Sequence, residues 1–447
     1  MTGTSVYLMS MRTISAAFLV GVVCLMTVYT QTPEKFAAEW EKAHMSRITP
    51  SDVRHADLKN YLEQLKKRSV PVTEVGRSGA DREIYQMEFG KGPLKVFMWS
   101  QMHGDEPTAT SALIDLFAYL EKEKHSELVK KISETMTIRA VPMLNPDGCE
   151  MYKRRNLQDI DINRDALDLA TPEARLLKKL RDDWSPAIGF NLHDQNALTT
   201  VGNSPMQAAI SVLVVYGDAE KTTSPGQERN LRLASMIVTA LQKFIPGHIG
   251  RYGDGYTPTA FGDSFSAWGT PTILIETGSL YGKDEMFLVK MNFVAYMTAL
   301  TALATGTEAG QSASPYLSLT TNSSGNLVHV LFRHGTVVRS TMPLVIGTGD
   351  ISGVTERRRA SFSAPTVIRN VGELGDVRGL REYDASQFYV VQRFGRLAPG
   401  ELAELFFYKK DRVIDWASPE LEKQFPPDAV FSGSKFIKGE GVVPKLN

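Results

Sequence analysis

Two hydrophobic periods alternate along the first two thirds of this chain. Apolar runs at residues 82–89 and 94–99, separated by Gly90-Lys91-Gly92-Pro93, predict two strands. Leu113, Leu116, Phe117 and Leu120 then recur at helical spacing and predict a helix over Thr108–Lys122, with Pro107 at its first turn. The same alternation continues downstream. Residues 137–143, 187–192, 210–216 and 271–275 read as strands, Pro271 fitting only a strand start. Residues 172–180, 228–244 and 285–305 read as helices. Upstream, residues 33–67 are charged and helix-like, with Leu58, Leu62 and Leu65 on one face, and Gly76-Arg77-Ser78-Gly79 reads as a turn. The pattern predicts an α/β fold: a mixed, mostly parallel twisted sheet flanked by helices.

Near Glu308 the pattern changes. Residues 310–321 are rich in Ser, Thr, Gly and Pro, and beyond them only short apolar runs occur, at 327–332, 337–345, 387–391 and 404–408. They predict a second, mostly β domain. The expected division is a targeting segment within 1–30, a first domain over 35–306 and a β-rich accessory domain over 312–436. The accessory domain shows no catalytic cluster, and His329 and His334 read as structural or surface residues. Three roles fit it: binding a partner, capping the rim of the site, or stabilising the first domain.

Composition narrows the function classes. The 447 residues carry 50 basic and 50 acidic side chains, with no long basic run, which speaks against nucleic acid as a partner. Residues 11–30 read as a cleaved secretory signal, with Arg12 at its positive end; an N-terminal membrane anchor is the alternative. Export to a bacterial periplasm or to the medium follows, with no stable membrane span once the signal is removed. The two cysteines are Cys24, inside that segment, and Cys149, so the exported chain has no internal disulfide.

The chemistry lies at the ends of the apolar runs. His103-Gly104-Asp105-Glu106 follows the run at 94–99, and His193 ends the run at 187–192. Two histidines and a glutamate can hold one zinc ion and leave a position for water. All would lie beyond the carboxyl ends of parallel strands, where α/β folds place their sites. Glu276 directly follows the run at 271–275, where a carboxylate can serve as general base. His-x-x-Glu alone is a common spacing, and a strand-end glutamate alone is ordinary.

The ordered set from about Gly76 to Thr305 resembles the zinc carboxypeptidase family, the pancreatic-type metallopeptidases. It comprises His103 and Glu106, Asn145-Pro146-Asp147-Gly148, Arg155-Asn156, Asp161-Ile162-Asn163-Arg164, His193 and Glu276. The resemblance implies one Zn2+ per chain on His103, Glu106 and His193, with Glu276 as the catalytic acid–base. It implies Arg155 as the group that stabilises the oxyanion, Asn163 and Arg164 as holders of a substrate carboxylate, and Asp161 as the acid that orients His103. Arg154 reads as a solvated charge. Tyr256 is expected to cap the substrate pocket, with Tyr252 as its rival.

Two features depart from the family. Asp105 stands where many relatives carry an arginine, and the loop near Gly262, Asp263 and Phe265 is spaced differently. The expected function is removal of C-terminal residues from peptides. The alternatives are an amidase or endopeptidase acting on cell-wall peptides, and a catalytically weak binding or cell-surface protein that keeps the fold. Side-chain preference and oligomeric state are not written in the sequence.

Overall fold

The apolar runs assemble into one eight-stranded sheet. Its order is Val72–Arg77, Glu83–Gly90, Met136–Val141, Leu94–Ser100, Ile188–Asp194, Thr272–Thr277, Ile210–Val215 and Ile249–Arg251. The four strands from Met136–Val141 to Thr272–Thr277 are mutually parallel. Antiparallel pairing appears toward both edges. The computed structural model describes residues 1, 3, 32–339, 344–355 and 364–446. The proposed signal over 11–30, including Cys24, lies outside the described residues.

The central strands carry little alternation because both faces are covered. Every residue of Ile188–Asp194 and Thr272–Thr277 is buried. Phe97 and Trp99 pack with Leu177 and Trp184 of the helix Pro172–Trp184 and with Phe261 and Phe265 of the helix Phe261–Ala267. The rings of Trp99 and Phe265 lie 4.3 Å apart. A second helical layer contains Thr108–Lys122, Pro225–Leu241 and Glu285–Thr305, each in contact with the last. Glu285–Thr305 is long and apolar enough to cross a membrane, yet 72% of its most apolar stretch is buried inside the protein, as in a core helix.

The strand Val72–Arg77 was hidden by its composition: it includes Gly76 and Arg77, read above as part of a turn, and none of its residues is fully buried. A half-exposed edge strand shows no apolar run to detect.

The C-terminal runs form a second eight-stranded sheet around Phe332, Val390, Phe407 and Phe431. The run at 337–345 divides between two strands, Val330–Arg339 and Leu344–Thr355. Residues from Thr32 onward form one compact unit. Its two sheets are tied together where Asn322–Ser323 pairs with Thr200–Val201 and where Arg251 N donates to Thr320 O at 2.9 Å.

Candidate metal centre

The strand Leu94–Ser100 ends at Gln101, whose φ of 49° turns the chain out of the sheet. Gln101 Nε2 then donates to Gly104 O at 3.0 Å and its Oε1 accepts from Thr110 Oγ1 at 2.7 Å, fixing the loop that carries His103 and Glu106. That loop lies against the Asn145-Pro146-Asp147-Gly148 turn. Asn145 caps a short helix by accepting from Gly148 N at 2.8 Å, and its Nδ2 donates to Met102 O and Arg154 O. The contact is backbone on backbone, since a Cβ on Gly104 would meet Gly148 C at 1.9 Å. Gly104→Ala should therefore cost about 1–3 kcal/mol, the scale of overpacking, and displace His103. A lowered urea midpoint together with reduced zinc content would show it.

His103 Nδ1, Glu106 and His193 Nδ1 converge. All three ligand atoms lie within 4.8 Å of one another, and all three residues are buried. Glu106 Oε1 is 2.8 Å from His103 Nδ1 and Glu106 Oε2 is 2.7 Å from His193 Nδ1. The two ring nitrogens are 3.2 Å apart. Two imidazoles bound to one tetrahedral zinc at about 2.0–2.1 Å place their nitrogens at roughly that separation. His103 Nε2 faces Asp161 Oδ1 at 3.0 Å. An ionised carboxylate can only accept, so Nε2 carries the proton and Nδ1 turns its lone pair to the centre.

The charges around the centre favour a cation there. Burial lowers the His103 pKa, but the Glu106 charge and the hydrogen bonds to Asp161 and Glu106 outweigh it and raise it to about 9. Burial alone would raise Glu106; the two histidines hold it well below the carboxylate range. Such a buried anionic pocket with two aimed imidazoles fits a zinc cation in both donor type and charge. His193→Ala removes one ligand and should abolish the expected content of about one zinc per chain, read by elemental analysis.

Glu276 is the register partner of His193 on the neighbouring parallel strand, so both side chains leave the same face. Burial, then the Glu106 and Asp194 charges, push its carboxyl well up. A cation held by His103, Glu106 and His193 opposes that shift.

The arginine expectation needs correction. Arg155 is exposed and does not line the cleft; its Nη1 donates to Asp159 O at 2.8 Å. Arg154, read as a solvated charge, lines the cleft instead. Its Nη1 lies 3.2 Å from Glu106 Oε1 and 3.1 Å from His103 Nδ1, and its Nε donates to Asp161 Oδ2 at 3.0 Å. Asp161 thus positions both His103 and Arg154.

The tyrosine expectation changes too. Tyr256 is exposed and is not among the lining residues, whereas Tyr252 is. Tyr252 packs on Leu213, Val215 and Leu274, all lining the cleft, and the Glu276 charge together with burial raises its hydroxyl to about 12. Asn163 and Arg164 line the same cleft, and Asn163 Oδ1 is held by Phe261 N at 2.9 Å. Asp105 and Asp263 are also on its surface. Burial raises Asp263 to about 6.

Fold and site together define an α/β protein with a His-Glu-His cluster that could hold a metal ion. Residues 57–207, about a third of the chain, match the model of the zinc carboxypeptidase family. It is 31% identical over 109 residues to a probable carboxypeptidase 2 of Trichophyton verrucosum (strain HKI 0517), covering 24% of this chain and 21% of that one. It is 27% identical over 167 residues to carboxypeptidase Z of Homo sapiens, covering 31% and 26%. The chain therefore spans about a fifth to a quarter of the length of these relatives. A metallo-carboxypeptidase structure from Burkholderia cenocepacia aligns with 15% identity and a TM-score of 0.45, covering 56% of this chain and 68% of that one.

Proposed function

We propose that the protein is a zinc metallocarboxypeptidase, a hydrolase that removes C-terminal residues from peptides. The observation that carries this reading is the placement of Asn163 and Arg164 in the same cleft as the His103–Glu106–His193 centre and Glu276. When bound, zinc would lower the pKa of water and polarise the scissile carbonyl. The chain's own groups do the rest. Arg164 and Asn163 hold the terminal carboxylate, a fork geometry suited to that anion. The apolar floor of Leu213, Val215 and Leu274 receives the departing side chain. Glu276 takes a proton from the attacking water and returns it to the leaving amine. Arg154, held by Asp161, faces the developing oxyanion.

The catalytic domain in this reading is 35–306 and the accessory domain 312–436, with export to the periplasm or medium by the N-terminal segment. The test incubates the protein with a peptide library and with purified wall fragments, with and without a zinc chelator, and reads products by mass. Chelator-sensitive loss of single C-terminal residues is expected. Internal cuts that leave the terminal residue in place would refute it and favour the endopeptidase or amidase alternative. Arg164→Ala should raise KM about tenfold or more for free-terminus peptides and much less for amidated ones, as expected on losing a charge-assisted pair. Equal effects on both would mean that Arg164 does not read the carboxylate.

A further inference from the structure

The cleft around the metal centre is not built from the first sheet alone. Its volume is about 1400 Å³, above the roughly 300–1,000 Å³ of pockets that enclose one small molecule, so it has room for more than a single terminal residue. One wall comes from beyond residue 320 and includes Asn322, His329, Thr355 and Arg369. This wall is anchored beside the centre: Asn322 Nδ2 donates to Gln195 Oε1 at 3.0 Å, two residues past His193.

The two walls differ in charge. The lining residues of the first sheet and its loops include five acids, Asp105, Glu106, Asp194, Asp263 and Glu276, against two arginines, Arg154 and Arg164. The described lining residues from 322 onward include no acid and one cation, Arg369. Arg369 is exposed and has no ion pair among the described residues. His329 Nδ1 accepts from Thr355 N at 3.0 Å, so its neutral ring carries its proton on Nε2 and is a donor there. Burial and then the Arg381 charge keep that ring neutral, lowering it to about 4. The wall therefore offers hydrogen-bond donors and a positive charge to whatever lies along it.

Arg164 and Asn163 already account for a terminal carboxylate under the proposed activity, so a second anion-receptive surface in the same cleft must serve another part of the substrate. We propose that the C-terminal sheet forms a substrate subsite for a side-chain carboxylate upstream of the terminal residue, with Arg369 as the residue that selects an acidic peptide. This rests on the carboxypeptidase reading for the direction of the peptide, but the binding itself does not require turnover.

The experiment measures affinity in the Glu276→Gln background, loaded with zinc, by fluorescence anisotropy. Probes are free-terminus peptides identical except for Glu or Gln at the second, third or fourth residue from the C-terminus. At one of these positions Glu should bind about 1.5- to fivefold tighter at low salt, the range of an exposed ion pair. Arg369→Gln should bring that ratio to about one, Arg369→Lys should keep most of it, and Arg369→Glu should invert it in favour of a lysine peptide. Equal binding of Glu and Gln peptides at all three positions, or a preference that survives Arg369→Gln, overturns the proposal. Absence of chelator-sensitive release of terminal residues by the unmodified protein, with the Glu preference intact, would instead refute the carboxypeptidase reading and leave the acidic subsite standing.

Discussion

Glu276→Gln should keep zinc and peptide binding while lowering kcat by about 10²–10⁴-fold, the scale of losing general acid–base chemistry. The substitution preserves the shape of a buried side chain next to His193 and removes both its negative charge and its capacity to carry a proton. The expected signature is a split: zinc content and peptide affinity unchanged, with single-turnover rate collapsed. Turnover within a few-fold of the parent would exclude Glu276 as the proton carrier. Loss of zinc would show instead that its charge supports the metal centre. The two outcomes are separable because Glu276 is not among the three converging ligands.

Arg154→Ala and Arg155→Ala should differ sharply although the residues are adjacent. Arg154 contacts Glu106 and Asp161 and lines the cleft, so removing it should cost about 10²–10³ in kcat, as for the loss of one oxyanion donor. Arg155 reaches only the Asp159 carbonyl among the described residues, so Arg155→Ala should leave kcat/KM within about threefold, as expected of a surface side chain. Steady-state kinetics on one neutral peptide, with zinc content as a control, decides the matter. A larger loss from Arg155→Ala than from Arg154→Ala would overturn the assignment drawn from the geometry. Arg154→Lys should recover only part of the rate, because a single ammonium cannot bridge Asp161 and Glu106 as the guanidinium does.

Much of the first sheet could be read from the sequence because its central strands are buried on both faces and so appear as continuous apolar runs. The limits of the helices at 108–122 and 285–305 agree with those read from spacing. The C-terminal strands were legible as β but not in their bounds, since register shifts and turns there carry no apolar signal. The strand at 72–77 escaped for the same reason in reverse: it is a polar edge.

His103, Glu106, His193 and Glu276 were visible because each follows a strong apolar run, and the end of a run marks the end of a strand. Position along the chain thus determined their place at one rim of the sheet. Sequence could not say which of two neighbouring arginines faces that rim. That depends on where Asn145 Nδ2 and Gly104 N hold the Arg154 carbonyl, contacts made across a loop crossing. Nor could it choose between Tyr252 and Tyr256. Tyr252 N is held by Val212 O at 3.0 Å, which keeps it beside the strand next to Glu276 and leaves Tyr256 exposed. Capping of the rim was one of three roles open to the C-terminal domain, but His329 and Arg369 could not be placed there from sequence, because residues more than a hundred positions from His193 enter the cleft through long-range contacts such as the pairing of Asn322–Ser323 with Thr200–Val201 and the Asn322–Gln195 hydrogen bond. Local patterns encode strand, helix and the order of ligands; which side chain faces the substrate is decided by packing between segments distant in sequence.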